Sequence, residues 1–335
     1  MPPATPDPLR IVESAYAWNA SESTWLAHVL AAAAPFSTGR GVVACTLRTG
    51  TKVVLEEIAV GSGATTDDAA GIRRFCETLS PKVAPGLFAP TEIVGNAGYR
   101  LERLARANKT TSLALSGGVP LPPMWALLGG QPRERAVMVA FLATTAVAAT
   151  QPFPHDERRV LGMVGAHLGA ALRLRALAPA EAEADTEAVL TTDGKVVHAV
   201  GVAKTRRARE SLTSAVLRSE RARGKLRRVD AVEATALWTA LAAGRWSILE
   251  STESDGKRFL LARKNKQSTP DILELSRDES DVVWLAVEGH SQKYIAYELG
   301  FSIAVVARRL HSAMRKLRVD SRRELLQKLG VPTDD

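Results

Sequence analysis

The chain has 335 residues, 46% of them hydrophobic and 24% charged, with two cysteines. That balance describes a globular protein with room for two or three domains and excludes a disordered chain. Cys45 and Cys76 alone supply neither a disulfide framework nor a four-cysteine zinc site. The formal net charge of +8 is uneven: residues 1–203 hold 18 basic and 18 acidic side chains, residues 204–228 hold ten and two, and residues 301–330 hold eight and two. A neutral front and a cationic rear suit a chain whose rear half meets a polyanion, because neutralised phosphates release counterions.

The opening MPPATPDPLR lacks the basic-then-apolar pattern of a secretory leader, and no apolar stretch reaches membrane-spanning length uninterrupted. A cytoplasmic protein with no membrane partner is expected. Residues 10–35 carry Ile11, Trp18, Trp25, Leu26, Val29 and Leu30 at helical spacing and predict one long amphipathic helix ended by Pro35. Gly41 to Leu47 and Lys52 to Val60 predict strands joined at Arg48-Thr49-Gly50-Thr51. Thr66 to Leu79 reads as a helix, Pro81 to Gly98 as loop, and Leu101 to Ala107 as a helical turn or two.

Residues 111–130 hold a short apolar run broken by Gly117-Gly118, Pro120, Pro122-Pro123 and Gly129-Gly130. Arg135 to Leu142 then reads as a buried strand, and Phe153-Pro154 leads a helix from about His155 to Leu177. Helices flanking a sheet, a strand ending in small residues and a Pro-led final helix together resemble the GAF-like sensory domains. The resemblance implies a sensory domain over residues 8–178 with a pocket for an unknown small-molecule or protein signal; fold alone names no ligand. Leu113, Leu115, Val139 and Phe141 are candidates to line it, and core packing accounts for them equally.

Ala178 to Glu187 is an acidic, small-residue linker. Ala188 to Leu190 and Val196 to Ala199 flank Asp193-Gly194, a hairpin signal. Lys204 to Arg228 reads as a basic helix with Arg218, Arg221, Lys225 and Arg228 along one stripe, which suits phosphate, solvent or a dimer contact. A second helix over Asp230 to Ala243 precedes a hairpin of Trp246 to Glu250 with Phe259 to Ala262 across Ser254-Asp255-Gly256. Hairpin, helices and hairpin resemble a reduced PAS-like fold, giving an intermediate domain over residues 186–264. Arg263 to Pro270 is a polar linker.

Four short helices follow over residues 271–331. Ser276 with Glu279 forms a capping box before Val282, Val283, Leu285 and Ala286. Ser291 caps a second helix that buries Ile295, Ala296 and Leu299 and stops at Gly300; Ser302 caps a third running to about Leu317. Ser321 and Glu324 form a capping box for a last helix carrying Leu325, Leu326 and Leu329. Two helices joined by a short Gly turn are a helix-turn-helix. On the third helix Val306, Leu310, Ala313 and Leu317 share one face, and Ala304, Arg308, His311 and Arg315 lie roughly opposite.

The motifs Leu275-Ser276-x-x-Glu279-x-x-Val282, Glu288-Gly289-x-Ser291-x-Lys293-x-Ile295-Ala296, Leu299-Gly300-x-Ser302 and Arg315-Lys316-Leu317-x-Val319 resemble the LuxR/NarL-type (GerE) DNA-binding module of bacterial transcription regulators. The fold class this implies is α+β, with GAF/PAS-like sensory domains in front and an all-α LuxR-type helix-turn-helix at the rear. The resemblance implies contacts to double-stranded DNA from Lys293, Ser302, Ala307, Arg308, Arg309, His311, Arg315 and Lys316. Arg308 and His311 lead for base edges, and Ala307 reaches only a thymine methyl. The flanking cations hold phosphate, as does the free-amide end of the helix at Ser302. Where most members read Thr-Val-Lys-x-His, this chain reads Val305-Val306-Ala307-Arg308-Arg309, and Gln292 and Tyr294 replace an Asn and an acidic residue. The target sequence is therefore not transferable.

Motifs for phosphate-binding loops, nucleophile elbows, zinc proteases, dinucleotide sites and receiver domains are missing. His28 and His167 have no second metal ligand at helical spacing. The expectation is a non-enzymatic regulator without cofactor or metal, working as a homodimer because one module reads few base pairs, with RNA polymerase as an open further partner. The competing reading is a sensor or protein-interaction module whose DNA-binding unit has decayed, motivated by Val305, Ala307 and Tyr294; a sigma-like factor ranks third.

Overall fold

The computed structural model describes residues 6–17, 20–37, 39–49, 52–80, 111, 114, 116–119, 123–130, 135–144, 155–176, 186–238, 241–242, 246–252, 257–264, 275–287, 291–321 and 324–325. The expected loop at 81–98, the helical turn at 101–107 and the pocket candidates Leu113 and Leu115 lie outside these residues. The chain divides into two compact units, residues 1–173 with 326–335 and residues 174–325.

In the first unit β1 (Gly41–Thr49) and β2 (Val53–Val60) form the expected hairpin, with one register shift at Thr46/Leu47. β1 also pairs with β4 (Arg135–Leu142), which pairs with β3 (Met124–Gly130), giving an antiparallel sheet of order β2-β1-β4-β3. Alternation sets the two faces. Val43, Cys45 and Leu47 join Met138, Ala140 and Leu142 in one core with Ile72, Phe75 and Cys76 of α3 (Thr66–Thr78). The intervening Val42, Ala44, Leu127, Val137, Val139 and Phe141 are buried as well, which is why β4 reads as an unbroken apolar run. On that second face Trp125 stacks on Phe141 with ring centroids 3.8 Å apart.

The single helix expected over residues 10–35 is two, α1 (Pro8–Ala15) and α2 (Glu22–Ala33), followed by a 3-10 turn at Ala34–Phe36. The break has a partner that spacing does not show. The indole Nε1 of Trp25 donates to the Ala15 carbonyl at 2.7 Å, satisfying an acceptor that an unbroken helix would have used, while Ser21 caps the new start by accepting from the Thr24 amide. Arg135 on β4 ties the layer down, donating at 2.6 Å to Glu22 of α2 and at 2.6 Å to Glu56 of β2. Both thiols are buried in the α3 core; burial pushes Cys45 well above the usual thiol range and Cys76 up to about 12, so neither is a thiolate at neutral pH. His28 is exposed, whereas His167 on α4 (His155–Ala176) is buried with its Nδ1 3.0 Å from the Tyr16 hydroxyl.

β3 was hidden in the sequence by its glycines, which read as breakers. A Cβ on Gly129 would sit 2.4 Å from the Gly165 carbonyl oxygen and 2.4 Å from the Gly169 amide nitrogen of α4. The glycine marks a helix crossing a strand at backbone distance.

In the second unit β5 (Thr186–Thr191) and β6 (Val196–Ala199) turn at Gly194, whose φ of +82 favours glycine. Thr186 and Glu187, read as linker, belong to β5. The sheet runs β6-β5-β9-β8-β7, with β7 (Leu241–Ala242), β8 (Trp246–Thr252) and β9 (Arg258–Lys264), all antiparallel. Helix α5 (Arg206–Arg221) lays Ala208, Leu212, Ala215 and Val216 on Leu190, Ile248, Leu260 and Ala262. The basic helix expected to Arg228 ends regular geometry at Arg221: a π-type turn over Ala222–Leu226 departs from helical dihedrals at Gly224. The next helix is also shorter than expected. Asp230 caps α6 (Ala231–Leu237) from outside the helix, Trp238 leaves it, and Leu241–Ala242 joins the sheet edge.

Gly129→Ala is expected to destabilise the first unit by about 1–3 kcal/mol, because backbone atoms of α4 cannot rotate away from the added methyl. A urea titration followed by tryptophan emission checks this; an unchanged midpoint would mean that helix and strand do not meet at Gly129.

Candidate nucleic-acid interface

Three helices build the site, α7 (Arg277–Val287), α8 (Gln292–Glu298) and α9 (Ile303–Lys316). Each start is capped by the serine that the sequence places there: Ser276 accepts from the Glu279 amide, Ser291 from the Tyr294 amide at 3.2 Å, and Ser302 from the Val305 amide at 3.3 Å. The reciprocal bond of the first box is present, the Ser276 amide donating to Glu279 Oε2 at 2.7 Å.

Helix α8 ends in a Schellman motif. The Phe301 amide donates to the Ala296 carbonyl at 2.9 Å and the Gly300 amide to the Tyr297 carbonyl, with Gly300 at φ +66. This turn sets α9 across α8. The same motif closes α9, where the Val319 amide reaches the Met314 carbonyl at 3.0 Å, but here Arg318 takes the left-handed position at φ +53. A non-glycine residue pays roughly 1 kcal/mol for that conformation, and burial of Val319 against the domain offsets it. At the last capping box the Glu324 amide donates to Ser321 at 3.0 Å, while the return bond comes from the Asp320 amide rather than from Ser321. The remainder of that helix lies outside the described residues.

Helix α9 separates its faces as its spacing predicts. Val306, Leu310, Ala313 and Leu317 are buried, in a core with Val282, Val283, Leu285 and Ala286 of α7 and Ile295 and Ala296 of α8. Ala304, Ala307, Arg308, His311 and Arg315 are exposed. Among the described residues neither Arg308 nor Arg315 has an ion-pair partner, so two guanidiniums, about two helical turns apart, face solvent. Lys293 and Ser302 are exposed near them in the chain, on α8 and at the head of α9.

The other two predicted cations are differently placed. Arg309 Nη2 lies 2.9 Å from Asp278 and Lys316 Nζ lies 2.6 Å from Glu279, both acids standing in the first turn of α7. Glu279 also accepts from the Ser312 hydroxyl at 2.6 Å and is only 3% exposed. Burial alone would push its carboxyl up; the Lys316 ammonium, the Ser312 hydroxyl and the Ser276 amide outweigh burial and hold it at about 2. Sequence reasoning named Glu279 as a helix cap and stopped there. Its partners on α9 lie 33 and 37 residues away, beyond any local spacing rule.

Residues 273–329 match the family described as bacterial regulatory proteins, luxR family. They form a LuxR-family helix-turn-helix domain. The match indicates a DNA-binding transcription regulator, and it spans the segment in which capping serines, Gly300 turn and two-faced α9 were found. Searches of curated proteins and of solved structures each returned no match to the chain. Among the described residues of the whole chain, no group of three or more metal-ligating side chains gathers, and no helix is long and apolar enough to cross a membrane.

Within the LuxR-family domain the Glu279 cluster gives a pH-dependent tie. Its folded-state pKa is depressed, so the stabilisation is fully present above about 4.5 and is lost as pH falls towards about 2. Glu279→Gln is expected to cost about 2–3 kcal/mol at neutral pH, with the gap to wild type narrowing as pH falls below 4.5. Thermal unfolding of the full chain followed by circular dichroism at pH 7, 4 and 3 reads this; a gap that does not vary with pH would show that the charge is not what stabilises.

Proposed function

We propose that the chain is a sequence-specific DNA-binding transcriptional regulator. In this reading α9 of the LuxR-family domain enters the major groove, and the preceding parts of the chain sense a signal. The observation that carries it is the exposed face of α9, where Arg308, His311 and Arg315 stand clear of the core while their helix is held rigidly from behind. Arg308 is the base reader, its guanidinium matching the paired acceptors of a guanine edge, and His311 and Ala307 flank it. Ser302, Lys293 and Arg315 hold phosphate. Arg309 and Lys316 have carboxylate partners within the domain, so their contribution to DNA comes through the orientation of α9 together with any phosphate within reach.

The division into residues 8–178, 186–264 and 271–331 belongs to the same proposal. Helices packed on both faces of the first antiparallel sheet support a GAF-like sensor, and two hairpins that close into one sheet around inserted helices support a PAS-like intermediate domain. The regulator works as a homodimer without cofactor or enzymatic activity, in the cytoplasm, and its paired modules read a two-fold site. The decayed-module alternative is less well supported, because Val305 and Ala307 leave the capping of α9 and its cationic face intact.

Selection of genomic fragments by the full-length protein is expected to return one shared motif. Arg308→Ala should relax the preference at one or two positions of that motif by about 1–3 kcal/mol per base pair. Recovery of motif-free DNA only, or an equal loss on all sequences for Arg308→Ala, would remove the base-reading role.

A further inference from the structure

Outside the LuxR-family domain, α5 in the intermediate part of the chain carries a strong excess of positive charge. Residues 204–228 hold ten basic side chains and two acids, and the structure shows where both acids go. Glu210 is engaged by Arg206 at 2.8 Å, and Glu220 by Arg223 at 2.9 Å and Arg258 at 2.7 Å. Arg207, Arg218, Arg221, Lys225 and Arg228 are exposed and have no ion-pair partner among the described residues. Arg207, Arg218 and Arg221 lie on the side of α5 turned away from its buried stripe of Ala208, Leu212, Ala215, Val216 and Ser219. Lys225 and Arg228 continue the charge beyond the bend at Gly224.

Three observations select the partner. The apolar side of α5 is consumed by the sheet, so the helix has no face to insert into a bilayer. Its positive charges outnumber its exposed acid, Glu210, so two copies of this face repel one another, which disfavours it as a contact between protomers. Finally, only residues 265–274 separate the last strand of this sheet from the LuxR-family domain, a tether of at most about 40 Å. DNA held by that domain is therefore presented to α5 at high effective concentration. From Arg207 to Arg221 the helix runs about 21 Å, over which a duplex carries roughly a dozen phosphate charges.

We propose that α5 is a second DNA-binding surface, which grips the phosphate backbone of the duplex flanking the site read by α9 and adds affinity without sequence preference. This rests on the DNA-binding reading of the LuxR-family domain. The test measures binding of the full chain to a duplex bearing the selected motif with flanking sequence, across a series of salt concentrations. It compares wild type with a variant carrying Arg207→Gln, Arg218→Gln, Arg221→Gln and Lys225→Gln together, and with one carrying Arg207→Lys, Arg218→Lys and Arg221→Lys. The glutamine variant is expected to keep its motif preference, to bind at least about tenfold more weakly near 0.1 M salt, and to lose about 2–4 from the slope of log affinity against log salt. The lysine variant keeps the wild-type slope, which separates charge from folding.

A glutamine variant whose slope equals wild type overturns this inference alone, since α9 still reads its motif. A wild-type protein that binds no duplex at any salt overturns both readings. A glutamine variant that changes oligomeric state in sedimentation, with its salt slope intact, assigns the face to self-association instead.

Discussion

A carboxylate taken out of water must be neutralised by its surroundings, and Glu279 meets that demand with three donors from two helices: the Ser276 amide, the Ser312 hydroxyl and the Lys316 ammonium. The first belongs to its own helix start and the other two to α9. One side chain thus caps α7 and locks the rotation of α9 about its axis. Since the apolar stripe of α9 is narrow, a rotation of even a fraction of a turn would bury Arg308 or expose Leu310. The arrangement of the cationic face depends on this tie as much as on the hydrophobic core.

Charge is partitioned by the same logic along the rest of the rear half. Cations that flank the buried stripe of α9 meet the acids of α7, and Arg308 and Arg315 opposite it have no ion-pair partner among the described residues. On α5 one acid, Glu220, is drawn into a group that includes Arg223, Glu250 and Arg258, with Arg223 also 4.6 Å from the Trp238 ring centroid, while Glu210 pairs with Arg206 on the exposed surface. Partly exposed pairs of this kind contribute little to stability individually, and their larger effect here is on which charges stay available.

The front half shows the opposite economy. Its sheet is covered on both faces, one by α3 and one by the layer that includes α4, so almost every residue of β4 is apolar. The two thiols and the Tyr16–His167 pair are folded into these layers, and Arg135 is held between Glu22 and Glu56.

Capping residues, apolar spacing and turn glycines act over three to five residues, and for that reason the sequence alone determined the three helix starts at Ser276, Ser291 and Ser302, the Gly300 turn, the two faces of α9 and the β1–β2, β5–β6 and β8–β9 hairpins. It also determined that positive charge gathers in two segments of the rear half. Tertiary structure decided the rest. The break between α1 and α2 depends on Trp25 reaching the Ala15 carbonyl; β3 packs where α4 crosses at Gly129; and the roles of Glu279, Arg309 and Lys316 depend on α7 and α9 meeting side by side, Glu279 reaching Ser312 and Lys316 across 33 and 37 residues of sequence. Each requires two distant segments to occupy neighbouring space, and such proximity is a property of packing that no local pattern encodes.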